Sequence, residues 1–129
     1  MLDLGYLNKL INDKKSQEAN DIVNYVKNQF PDFEETVERF AKLGAYSGTF
    51  KLWLPDDIRM ITDDDVLLAF ATLKEAYQPL DIQLSCRVVT YEIDFKTNRR
   101  YLDLWFVIPT SKDEAKEYGY GDRVVWEVE

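Results

Sequence analysis

The chain has 129 residues, 46% of them apolar and 14% aromatic, enough for one buried core but not comfortably for two. Five Gly, four Pro and one Cys exclude collagen-like, low-complexity and disulfide-built classes, and the lack of any His removes Ser-His-Asp triads and nearly every zinc or haem site. With 24 acidic against 16 basic residues, the net charge of −8 repels a phosphate backbone and attracts a basic protein surface.

The first 44 residues read as three helices. Leu4, Leu7, Leu10 and Ile11 suggest a short one, ended by the polar step Asn12-Asp13. Ala19, Ile22, Val23, Val26 and Phe30 form the apolar stripe of a second, with Ser16 as N-cap and Pro31 as stop. Asp32 opens a third, with Glu35 in capping-box position; Phe33, Val37, Phe40 and Ala41 face inward, and Leu43-Gly44 ends it.

From Ser47 the period changes from 3.6 to 2, and Phe50, Leu52 and Leu54 mark a half-buried strand closed by Pro55. Thr62 and Asp65 form a capping box for a central helix over 63–77, apolar on nearly every side from Val66 to Ala71. A hairpin follows. Val89, Tyr91, Ile93 and Phe95 alternate on one arm, and Leu102, Leu104, Phe106 and Ile108 on the other. A tight turn at Thr97-Asn98, or at Lys96 to Arg99, pairs Ile93 with Leu102, Tyr91 with Leu104 and Val89 with Phe106. Earlier in that arm the apolar parity reverses at Ile82, Leu84, Cys86 and Val88, which calls for a β-bulge near Arg87 to Val89 or a stretch buried on both faces. Ser111 to Tyr118 has room for one or two helical turns, Gly119 to Asp122 is a turn, and Val124, Trp126 and Val128 make a closing strand.

The expected fold is a single α+β domain over 1–129, with a three-helix segment at 1–44 before a sheet that carries helix 63–77. The sheet is four-stranded, mixed or antiparallel, with helices on one face, and the βαββαβ order of a ferredoxin-like unit is its most specific version.

The expected hairpin register also sets the other face, placing Glu92 opposite Asp103, Asp94 opposite Tyr101 and Thr90 opposite Trp105. Two carboxylates facing across a sheet cost up to ~1 kcal/mol unless solvent, a neighbouring cation such as Lys51, or a partner compensates them. Trp105 and Tyr101 beside those carboxylates suit an Arg- or Lys-rich protein surface, through cation–π and charge-assisted contacts. A second acidic group, Asp56, Asp57, Asp63, Asp64 and Asp65, has an ordinary explanation in turn chemistry and the dipole of a helix start. A Mg²⁺ site held by two of those carboxylates, or a patch that imitates phosphates, is the alternative.

No phosphate-binding loop, dinucleotide fingerprint or nucleophile elbow occurs, Cys86 sits in an apolar strand pattern, and no catalytic residue or cofactor is called for. Arg100-Tyr101-Leu102-Asp103 lacks the glycine of an RNA-reading strand and adds a carboxylate. The N-terminus lacks the basic and apolar regions of a signal peptide and no apolar run approaches the ~20 residues of a membrane span, so a cytoplasmic location is expected.

These features point to a non-enzymatic, acidic binding module whose partner is a protein with a basic surface, with no direct nucleic-acid or membrane contact. Small bacterial and phage inhibitors such as toxin immunity and anti-defence proteins share its size and acidity, a likeness of composition alone. The candidate binding residues are Glu92, Asp94, Tyr101, Asp103, Trp105, Asp56, Asp57, Asp63 and Asp64. A phage accessory or structural oligomer, and a small carboxylate-dependent Mg-assisted enzyme, are the competing expectations.

Overall fold

The computed structural model describes residues 3–55, 61–92, 98–109 and 124–128. Two helices precede the sheet: α1, Leu4–Asn28, and α2, Phe30–Lys42. This corrects the three-helix expectation. Asn12, Asp13 and Ser16 lie inside α1, because such residues cost only ~0.7 kcal/mol or less each in a helix interior and no Gly or Pro interrupts the run. Asp3, not Ser16, is the N-cap, accepting from the Gly5 N–H. The break falls at Gln29, where Pro31 fits the first turn of α2 as readily as it would stop α1. Gly44, at φ +79°, ends α2 with its N–H donating to the Ala41 carbonyl.

The sheet strands are β1, Ser47–Trp53; β2, Gln83–Glu92; β3, Asn98–Val107; and β4, Val124–Val128. Helix α3, Asp63–Tyr77, crosses from β1 to β2 and opens with the expected capping box, Thr62 and Asp65 each satisfying the other's backbone N–H. A 3-10 turn at Gln78–Leu80 and the left-handed Asp81 (φ 56°) turn the chain into β2. The spatial order is β1-β3-β2-β4.

The expected four-stranded sheet behind three helices is therefore corrected. Among the described residues antiparallel pairing is confined to three strands, β1-β3-β2, and β4 runs parallel to β2 at its far edge. The first three strands and α3 keep the split β-α-β arrangement of a ferredoxin-like unit, but β4 would have to lie beside β1 to complete that order.

The hairpin register is corrected as well. Leu84 pairs with Phe106, Cys86 with Leu104 and Val88 with Leu102, so Val89 faces Tyr101 rather than Phe106, a shift of five residues. An odd shift turns β2 over. The even set, Leu84, Cys86 and Val88, faces the helices with at most 4% exposure, so the reversed parity was the one that mattered. The ladder runs from Gln83 to Glu92 with no bulge, while Val88, Val89 and Thr90 are buried in succession, which is burial on both faces. The expected turn at 96–99, the helical turns at 111–118 and the turn at 119–122 lie wholly or largely outside the described residues.

All three helices contribute to one core on the inner face. Ile22 and Val26 of α1, Phe33 of α2, Val66, Ala69, Phe70 and Leu73 of α3 meet Leu52, Leu84, Val88, Leu102, Leu104 and Phe106 of the strands. Phe33 is its hub, with ring centroids 4.8 to 5.8 Å from Tyr77, Phe50 and Phe106. Gly48 permits the closest approach of α2 to the sheet, since a Cβ there would lie 2.7 Å from the rings of Phe106 and Phe40.

Candidate functional site

The outer face of the sheet, opposite the helices, was expected to be acidic; the register makes it otherwise. Glu92 sits opposite Asn98 at one end of the ladder, and Asp103 sits opposite Arg87, five pairs away. The facing carboxylates therefore do not exist. Asp103 is flanked by Lys51 on β1 and Arg87 on β2, with an Arg87–Asp103 ion pair at 3.5 Å.

Next along this face, the rings of Trp53 and Tyr101 pack at a tilt of 46° with centroids 4.5 Å apart. The Arg99 guanidinium lies 4.4 Å from the Trp53 ring and the Lys51 Nζ 5.1 Å from that of Tyr101. Tyr101 is thereby buried and presents no free ring. Trp105 remains 47% exposed on β3, beside an open hollow of about 330 Å³ lined by Thr49, Ser85, Arg87 and Asp103 among others. Among the described side chains of this face, the cations Lys51, Arg87 and Arg99 outnumber Asp103, although the whole chain is negative.

The other candidates are dispersed. Asp63 binds Arg100 at 2.6 Å, joining the start of α3 to β3, and Asp65 is consumed by the capping box. Asp64 lies in a hollow with Lys15 and Glu18 of α1. Asp56, Asp57 and Asp94 lie outside the described residues, as does the side chain of Glu92. Among the described residues no three carboxylate or thiol groups converge to hold a metal ion. Burial pushes the Cys86 thiol up to about 12, so it stays protonated.

A site that the sequence reasoning missed lies on the helical side. Phe33, Val37, Tyr77, Leu80 and Ile82 floor a groove of about 340 Å³ between α2 and the turn after α3, and Glu34 and Glu38 stand on its rim. The spacing of the two carboxylates, i and i+4, puts them one turn apart on the same side of α2. Tyr77 donates its hydroxyl to Glu34 Oε1 at 3.2 Å. Burial first, then the charge of Glu34 and that hydrogen bond, raise the Tyr77 pKa well above its ordinary value. Glu38 forms no ion pair among the described residues, and Leu80 is 64% exposed at the groove's edge. The i, i+4 glutamates were visible in the sequence, but the apolar floor comes from two segments far apart in the chain, 33–37 and 77–82.

Among the described residues no helix is long and apolar enough to cross a membrane. Compared with protein-family models, curated proteins and solved structures, the chain matches none.

Proposed function

We propose that the chain is a non-enzymatic, acidic protein-binding module that takes a basic segment of a partner protein in the groove between α2 and Leu80. The observation that carries this is the pair Glu34 and Glu38 beside an apolar floor. An Arg or Lys side chain fits both parts: its stem lies along Val37 and Leu80 while its charged head reaches the carboxylates.

Charge on two length scales supports the same site. The net charge of −8 steers a basic partner from a distance, and within the ~8 Å over which physiological salt leaves charges unscreened, the groove is also negative. Among the described side chains of the outer sheet face the two scales oppose each other. Docking an acidic 15.2 kDa body over a basic surface would occlude whatever that surface normally holds, nucleic acid included. That is the action of an inhibitor.

A second reading rests on Trp105. An exposed indole in one hollow with Arg87 suits a partner segment with a carboxylate next to an apolar side chain, since Trp and Arg recur as interface anchors. Calorimetric titration with two amphipathic peptides, one of Leu and Arg and one of Leu and Glu, separates the readings. The Leu/Arg peptide is expected to bind, more weakly as salt rises, and the Leu/Glu peptide not to. Preference for the Leu/Glu peptide would move the function to the outer face, and binding of neither would leave the groove without its role.

A further inference from the structure

Helix α1 is about 37 Å long at 1.5 Å per residue, yet its buried residues, Ile22 and Val26, both lie in its second half. From Asp3 to Gln17 every residue is exposed except the half-buried Leu7. At 100° per residue Leu4, Leu7 and Ile11 fall in the same sector, about 100° wide, as Ile22 and Val26. The inner patch packs on the core; the outer one, with Leu4 at 74% and Ile11 at 51% exposure, does not. Lys14, Lys15 and Glu18 separate the two, so the outer patch is a bounded strip with Leu10 along its edge.

A projecting helix of this length is marginal in water on propensity alone, and an unpartnered apolar strip adds to that cost. We infer that the first three turns of α1 pair antiparallel with the same turns of a second copy of this chain. Leu7 of each copy lies against Ile11 of the other, and the two Leu10 side chains meet along one edge. That register brings Lys14 of each copy beside Leu4 and Asp3 of the other, so the lysine stem covers a leucine and its ammonium meets a carboxylate, twice by symmetry. A parallel pair would instead set Lys14 beside Lys14 along the edge of the strip. Antiparallel alignment also opposes the two helix dipoles favourably. The strip is small, on the order of 800 Å² for the two copies together, which places the dimer in the weak, concentration-dependent class. This inference is independent of the groove, which lies on other elements.

Sedimentation equilibrium of the full chain over a wide concentration range tests it. The average mass should rise from 15.2 kDa toward twice that value. Leu7→Glu with Ile11→Glu should remain monomeric at every concentration and still unfold in one cooperative thermal transition, since Ile11 is exposed and Leu7 is only half-buried. Asp3→Lys should weaken association at least tenfold, and adding Lys14→Asp should restore it. Asp3→Asn keeps an N-capping side chain and should also weaken association, which separates the charge pair from capping. A wild-type chain that is monomeric throughout, a Leu7→Glu/Ile11→Glu variant that associates like wild type, or a charge exchange without recovery overturns the inference.

Discussion

The groove beside α2 and the outer face of the sheet offer hollows of similar size, about 340 and 330 Å³, yet they are built on opposite plans. The groove has an apolar floor that continues directly into the core through Phe33 and Tyr77, and both of its rim charges are negative. Among its described side chains the outer face has charges of both signs in alternation across three strands, with cations in excess and the exposed indole of Trp105. Hollow size therefore says little about what binds. What distinguishes the two is whether local charge agrees with the charge of the whole molecule, and only the groove meets that condition.

The largest expected effect concerns what each hollow rests on. Phe33→Ala removes the hub of the aromatic cluster under the groove and should cost about 3–5 kcal/mol of unfolding free energy. Trp105→Ala should cost less than ~1 kcal/mol, because nearly half of the indole is already in water. Denaturant unfolding of both variants checks the contrast, and a comparable loss in each would mean that the outer face is part of the core.

Next comes charge. Glu34→Lys with Glu38→Lys should weaken binding of the Leu/Arg peptide by about a hundredfold, while Lys51→Glu with Arg87→Glu should leave it within about a factor of two. Calorimetry on folded variants reads both, and the opposite ranking would exchange the roles of the two surfaces.

A smaller effect belongs to Tyr77. Its pKa is raised above 10.0 in the fold, so the folded state holds a proton that the unfolded chain releases. The stability this represents is complete below pH 10 and is lost as pH rises toward the folded value. Tyr77→Phe should remove that alkaline loss, at a cost of about 1 kcal/mol near neutrality for the hydrogen bond to Glu34. Melting temperatures from pH 8 to pH 11 follow both. The smallest change is expected at Asp103→Asn, under ~0.5 kcal/mol, since the 3.5 Å pair with Arg87 is open to solvent and screened.

The helix–strand–helix sequence up to Tyr77 was legible because its signals are local. The Thr62–Asp65 capping box, the Leu43-Gly44 stop and the alternation at Phe50, Leu52 and Leu54 each depend on a few adjacent residues. The continuity of α1 was misread because a polar step resembles a break, although Asn and Asp cost a helix little. The hairpin register was misread for a different reason. In the sequence both parities of this stretch are apolar, Leu84-Cys86-Val88 at even positions and Val89-Tyr91-Ile93 at odd ones, so alternation alone cannot say which set meets the helices. That single ambiguity reversed the charge of the expected site, replacing a facing carboxylate with Arg87. The position of β4 depends on long-range pairing that no local pattern encodes. The groove was illegible for the same reason, since Val37, Tyr77 and Ile82 converge only through the packing of α2 against the end of α3.

Amide chemical-shift mapping during titration with the Leu/Arg peptide tests the docking site most directly. The changes should gather at Phe33, Glu34, Val37, Glu38, Tyr77, Leu80 and Ile82, and disappear when Glu34 and Glu38 are both reversed to lysine. Changes centred instead on Thr49, Ser85, Arg87 and Trp105, and indifferent to that reversal, would contradict the account.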